Sequence, residues 1–251
     1  MSGFEPLIGI LLVISFSALV ILFSLKRIRT KHPPVFRKII AIQKLRRSIG
    51  LAVEDGTRIH VSLGSANLID PSNTSALVGL SSLHRIGQLT STSDLPPIST
   101  SGNGGLLILG QDVLSQISVE TNTRELYDPQ HAQMTGVTPF SYAVGTMEAM
   151  SDSGINANVF IGNFGPEAGL LCDASEGKQA FTLAASDSVT SQSIFYAMSD
   201  DTLIGEELFA LPAYLAYHST HQASLRVQDI FRVLVGIVLV TGSILKIFGL
   251  I

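Results

Sequence analysis

Residues 158–187 read NVFIGNFGPEAGLLCDASEGKQAFTLAASD, from Asn158 to Asp187. Ala157–Ile161 is an apolar, β-prone run that ends in Gly162, Gly165 and Gly169. Pro166 sits at the first turn of a short helical stretch reaching Glu176, a position where its missing amide costs nothing. Ala180–Ala185 (AFTLAA) is a second apolar run, and Asp187 follows it. Two buried strands joined through one helix form a βαβ unit, and such a unit makes the strands parallel.

The alternation continues on both sides. Upstream, Arg58–Leu63 predicts a strand with Ile59, Val61 and Leu63 on one face. Thr74–Leu89 predicts a helix with Leu77, Leu80, Ser81 and His84 on one side. Pro97–Thr100 reads as a short strand. Gly105–Ser118 reads as a helix or as a strand running into a helix, and residues 120–137 as a connection. Pro139–Asp152 predicts a helix that Gly154 stops. Downstream, Ser188–Met198 predicts a helix capped by Asp187 or Ser188. Thr202–Ile204 is a brief strand, and Glu206–Ala223 a helix that Pro212 kinks. The reading is α/β: a mostly parallel sheet with flanking helices, Rossmann-like, and it is inserted between two apolar segments.

Those segments lie near the chain ends. Leu7–Leu25 (LIGILLVISFSALVILFSL) contains no charged residue. At ~1.5 Å per residue it reaches ~28 Å, close to the hydrocarbon thickness of a bilayer. A cleaved signal peptide would carry basic residues before its apolar core. Here the charges follow it, which favours an uncleaved span. Val233–Ile251 is the second candidate span, with Lys246 near its far end, where its stem can snorkel. Between residues 26 and 47 stand Lys26, Arg27, Arg29, Lys31, Arg37, Lys38, Lys44, Arg46 and Arg47, with no Asp or Glu. This collar reads as a membrane-facing basic surface. The positive-inside rule, applied to it and to Arg226 and Arg232, puts residues 26–229 in the cytoplasm and both termini outside, at the plasma membrane. The domains expected are 1–25, a transmembrane helix; 26–56, a basic amphipathic juxtamembrane helix; 57–225, the α/β domain; and 226–251, the second transmembrane helix. Pro33-Pro34 breaks the chain after span one. The basic helix beyond it either lies on anionic headgroups or packs its apolar stripe on the domain. Gly56 caps it, or Asp55-Gly56 turns a hairpin.

Charge is segregated along the chain. Residues 48–225 hold Arg58, Arg85, Arg124 and Lys178 against eighteen acidic residues. Such a domain repels phosphates, so nucleic acid is not an expected partner. Cys172 is the sole cysteine, which excludes an intrachain disulfide and a cysteine zinc site.

The candidates for chemistry are few. Gly162, Gly165, Gly169 and Asp187 follow the layout of a dinucleotide-binding βαβ unit, with an acid about twenty residues past the glycines. Their spacing is G-x-x-G-x-x-x-G rather than G-x-G-x-x-G, and Pro166 removes an amide that would face a pyrophosphate. Turn chemistry explains the same residues. Ser99–Gly105 (STSGNGG) precedes a helix but lacks the following Lys of a P-loop. His218 and His221 share a helical face without an acidic neighbour, so no metal site is assigned. Cys172 reads as a core residue. No catalytic set is defensible.

The segment Phe36–Gly64 (FRKIIAIQKLRRSIGLAVEDGTRIHVSLG) resembles a group of bacterial two-span membrane proteins that carry a domain of unknown function. The basic helix, the Asp-Gly and the Arg-Ile-His-Val strand carry the resemblance, which runs across most of the chain. It implies no activity and no catalytic residues. The leading expectation is a non-enzymatic, membrane-anchored cytoplasmic α/β module without a cofactor. It would touch anionic lipid headgroups and assemble as a homo-oligomer or with a membrane partner. The alternative is a ligand- or nucleotide-sensing domain using the crevice around Gly162–Asp187.

Overall fold

A computed structural model describes residues 5–25, 37–65, 74–151, 154–215 and 219–247. The collar residues Lys26, Arg27, Arg29 and Lys31, the Pro33-Pro34 break, His32 and His218 lie outside the described residues. Two compact units divide the chain: residues 38–216, and residues 1–37 together with 217–251.

The larger unit is a six-stranded, all-parallel sheet with helices on both faces. Its strands are β1 (Arg58–Gly64), β2 (Ile98–Ser101), β3 (Ala132–Met134), β4 (Ile155–Asn163), β5 (Phe181–Ser186) and β6 (Asp201–Leu203). Their spatial order is β3-β2-β1-β4-β5-β6. After α1 (Glu5–Ser24), the helices of this unit are α2 (Ile40–Glu54), α3 (Thr74–Leu89), α4 (Gly104–Glu120), α5 (Pro139–Met150), α6 (Ala168–Gly177), α7 (Val189–Met198) and α8 (Glu207–Leu215). One apolar layer joins α2, α3, α4 and α8 to Ile59, Val61, Val159, Ile161 and Leu183. The other joins α5, α6 and α7 to Phe160 and Ala184. Phe160, Phe164 and Phe195 meet there with ring centroids 5.3–6.3 Å apart.

The expected stripe of α3 is rotated in the structure. Leu77 is 53% exposed, whereas Ala76, Leu83 and Ile86 are fully buried. Gly79 is the cause: a Cβ there would stand 2.7 Å from the Ile161 carbonyl oxygen, so the helix seats its smallest residue on β4. β3 lies inside the stretch read as a connection. It is three residues long and, among the described residues, pairs only with β2, Ser99 opposite Ala132.

The basic helix packs its apolar stripe on the α/β unit: Ile42, Leu45, Ile49 and Ala52 are buried in the sheet-facing layer. Gly56 follows with φ +63°, the left-handed conformation of a helix stop.

The smaller unit holds α1 (Glu5–Ser24) and α9 (Ser219–Ile247). Phe16 meets Phe231 at 5.7 Å between centroids, and the Arg226 guanidinium lies 6.0 Å from the Phe23 ring centroid. These two pairings make the helices antiparallel. Both are long and apolar enough to span a membrane. From Val233 onward α9 exposes Val235, Ile237, Leu239 and their neighbours, an apolar surface that water would not stabilise.

Candidate functional site

In a doubly wound sheet, the ligand crevice opens where the strand order reverses, beyond the carboxyl ends of the strands. Here that point lies between β1 and β4. The structure places Gly162, Gly165 and Asp187 at this edge, and it gives each a partner within the fold. Gly162 has φ +156°, and a Cβ on it would meet the Leu63 carbonyl oxygen at 2.2 Å. Gly64 has φ +76°, and its Cβ would lie 2.4 Å from the Asn163 oxygen. The two strand ends are therefore in backbone contact. Ser65 N–H donates to the Asn163 oxygen at 3.2 Å, and Gly102 N–H to the Gly64 oxygen at 2.9 Å.

The turn into α6 is filled by a carboxylate. Glu167 is fully buried, and its Oε1 accepts from Gly165 N–H at 2.8 Å. A Cβ on Gly165 would stand 2.6 Å from Glu167 Oε2, so glycine there makes room for that group. Asp187 accepts from the Asn163 amide at 3.0 Å. Gly169 stands apart from the other three: it faces Ile194 and Met198 of α7 at 3.7 Å, an ordinary helix–helix contact. The turn into α6 that would hold a pyrophosphate is thus already filled by a side chain of the chain itself, and the Gly165 amide there is taken. At the neighbouring turn, Gly105 N–H is taken by the Asn103 side chain at 2.8 Å.

On the α5–α7 face, sequence reasoning overlooked a buried polar chain that crosses four strands. Thr100 Oγ1 donates to His60 Nε2 at 2.9 Å. His60 Nδ1 donates to Asn158 Oδ1 at 3.0 Å. The Asn158 amide donates to Ser175 Oγ at 2.7 Å, and Ser175 bonds Thr182. Every member is at least 97% buried. Tyr142 bonds Ser62 beside it, and burial pushes its hydroxyl up to about 12. Burial likewise drives the His60 imidazole down to about 4, against the raising effect of its bond to Asn158. The signal was present in β1. His60 and Ser62 alternate with the apolar Ile59, Val61 and Leu63, and a central parallel strand is covered on both faces. Polar residues at such positions must find partners inside.

Part of the collar is committed to the domain. Lys44 pairs with Asp201 at 2.8 Å, and that bond raises its pKa. Arg46 donates to the Tyr214 and Leu215 carbonyls, the last two of α8. Lys38 and Arg47 are exposed. Cys172 is buried, and burial pushes its thiol up to about 12, away from the reactive thiolate. No group of three His, Cys, Asp or Glu side chains is arranged for a metal ion among the described residues.

These features define a doubly wound, all-parallel α/β protein that also carries two apolar helices of membrane-spanning length. The chain belongs to the family described as a domain of unknown function (DUF6754), whose model matches residues 4–251. No curated protein and no solved structure matches it at a significant level.

Proposed function

We propose that this chain is a membrane-anchored cytoplasmic α/β module that works by assembly, with copies of itself or within a membrane complex. The outer surface of the α5–α7 layer carries the reading. Phe140 (62% exposed) and Val144 are exposed on α5, Leu170 on α6, and Val189 (78%) and Tyr196 (73%) on α7. Large apolar groups on adjacent helices favour a protein interface over water. The segregated charge supports the same reading, since an acidic domain and a basic collar attract across neighbouring copies. Anionic headgroups are the collar's second partner.

The test is the mass of the full chain in mild detergent across salt and concentration. An oligomer is expected, and the pair Phe140→Asp with Tyr196→Asp should dissociate it while far-UV circular dichroism is unchanged. A monomeric mass throughout overturns the proposal. The alternative, sensing of a ligand at the carboxyl ends of β1 and β4, is favoured by the strand order. Glu167, which fills the turn and takes the Gly165 amide, directs that reading away from dinucleotides.

A further inference from the structure

A cavity lies at the opposite edge of the sheet from the strand-reversal crevice. It is an open groove of ≈ 770 Å³ at the amino ends of β4 and β5. That volume is within the range of small-molecule sites, roughly 300–1,000 Å³. One wall is a single stripe of α2, from Lys44 through Arg47 to Leu51. These residues fall three and four apart, so they share a helical face. The facing wall is built from the carboxyl ends of α6 and α7 and carries Glu176 and Asp200. Phe181 and Met198 add apolar lining between the walls.

The two walls have opposite electrostatic character. α2 contributes cations. The other wall combines two carboxylates with the negative ends of two helix dipoles. The fold uses only some of these charges. Lys44 is paired with Asp201. Asp200 accepts from Thr182 N–H at 2.8 Å. Arg47 and Glu176 are exposed, and their side chains have no hydrogen bond or ion pair with the described residues.

We infer that this groove binds a zwitterionic phosphate ester with an apolar body, its phosphate on Arg47 and its ammonium on Glu176. Guanidinium suits phosphate because its donors form a fork matched to two oxygens. A simple anion would meet the unpaired Glu176 carboxylate, and a simple cation would meet Arg47; a zwitterion satisfies both walls. The chemistry is that of an aminoalkyl phosphate, free or as the headgroup of a lipid. The groove shares α6 and α7 with the assembly surface, but none of Phe140, Val189 and Tyr196 lines it.

The full chain in dodecyl maltoside, which carries neither phosphate nor amine, would be titrated calorimetrically with three soluble probes: glycerophosphoethanolamine, glycerophosphate and ethanolamine. Saturable binding of the zwitterion is expected, at least tenfold tighter than either half. Arg47→Glu and Glu176→Arg should each weaken it at least tenfold. The double swap, which exchanges the walls, should recover much of the loss, and Arg47→Lys should retain part of it. Far-UV circular dichroism of each variant establishes that it is folded. Dihexanoyl phosphatidylethanolamine, below its micellar concentration, separates the two sources. Tighter binding than the tail-free probe assigns a lipid, and equal binding assigns a free ester. Absence of saturable binding, equal affinity for glycerophosphate, or indifference to both single charge reversals overturns the inference.

Discussion

At the scale of single residues, the decisive groups are those buried without charge. His60 stands between Thr100 and Asn158, with the Phe160 ring 6.3 Å away, and no ionised partner is among these neighbours. Its folded pKa of about 4 lies below the ordinary 6.5. The unfolded chain therefore binds the proton more tightly, and stability present above pH 6.5 is lost as pH falls towards 4. The loss attributable to this group is on the order of 3 kcal/mol. Denaturant titrations between pH 4 and 7 should show a steeper fall for the native chain than for His60→Gln, which has the same carboxylates but no imidazole. Gly162 makes a second prediction. Its Cβ would collide with the Leu63 backbone at 2.2 Å, where nothing flexible can yield. Gly162→Ala should destabilise the α/β unit by roughly 3 kcal/mol or more, read from the denaturation midpoint. Glycine at this position was legible as a turn residue. That it serves the approach of β1 to β4 was not, because those strands are about a hundred residues apart in sequence.

At the scale of elements, α2 shows how one helix serves two needs. Its apolar stripe covers the sheet, while its basic side caps another helix and lines a groove. Arg46 satisfies two carbonyls at the end of α8, where a helix leaves acceptors without intrahelical partners. Arg46→Met should therefore lower the stability of the α/β unit by about 1 kcal/mol. Lys38→Met, which removes an exposed cation, should leave the same denaturation midpoint unchanged. Most elements were readable because their periods are unambiguous: Thr74–Leu89 is a helix in the structure with those bounds. β3 was not readable, since Ala132-Gln133-Met134 is too short to display alternation and becomes a strand only by pairing with β2. The rotated stripe of α3 has the same origin. Leu77 weighs heavily in a hydrophobic pattern, but Gly79 decides the face, because only a residue without a side chain fits against Ile161.

At the scale of the whole molecule, the proposed topology places the α/β unit on the cytoplasmic side. Cys172 is buried, so the native chain gives little background for thiol labelling. Ser193 is exposed on α7. In intact cells, Ser193→Cys should resist a membrane-impermeant maleimide and become labelled after permeabilisation. Labelling before permeabilisation would reverse the orientation. The same labelled position sits on the outer layer proposed for assembly, so oligomer formation should slow its modification in detergent relative to the Phe140→Asp, Tyr196→Asp chain.

The amino-acid sequence by itself determined the alternation of strands and helices, the two apolar helices and the asymmetry of charge. Each of these is written in local composition and period, and needs no distant residue to be read. Tertiary structure alone decided the strand order, the chain of bonds from Thr100 through His60 and Asn158 to Thr182, and the occupation of the Gly165 turn by Glu167. It also set Arg47 across a groove from Glu176. All of these depend on residues far apart in the chain being brought within a few ångströms, and that proximity is created by burying both faces of a parallel sheet.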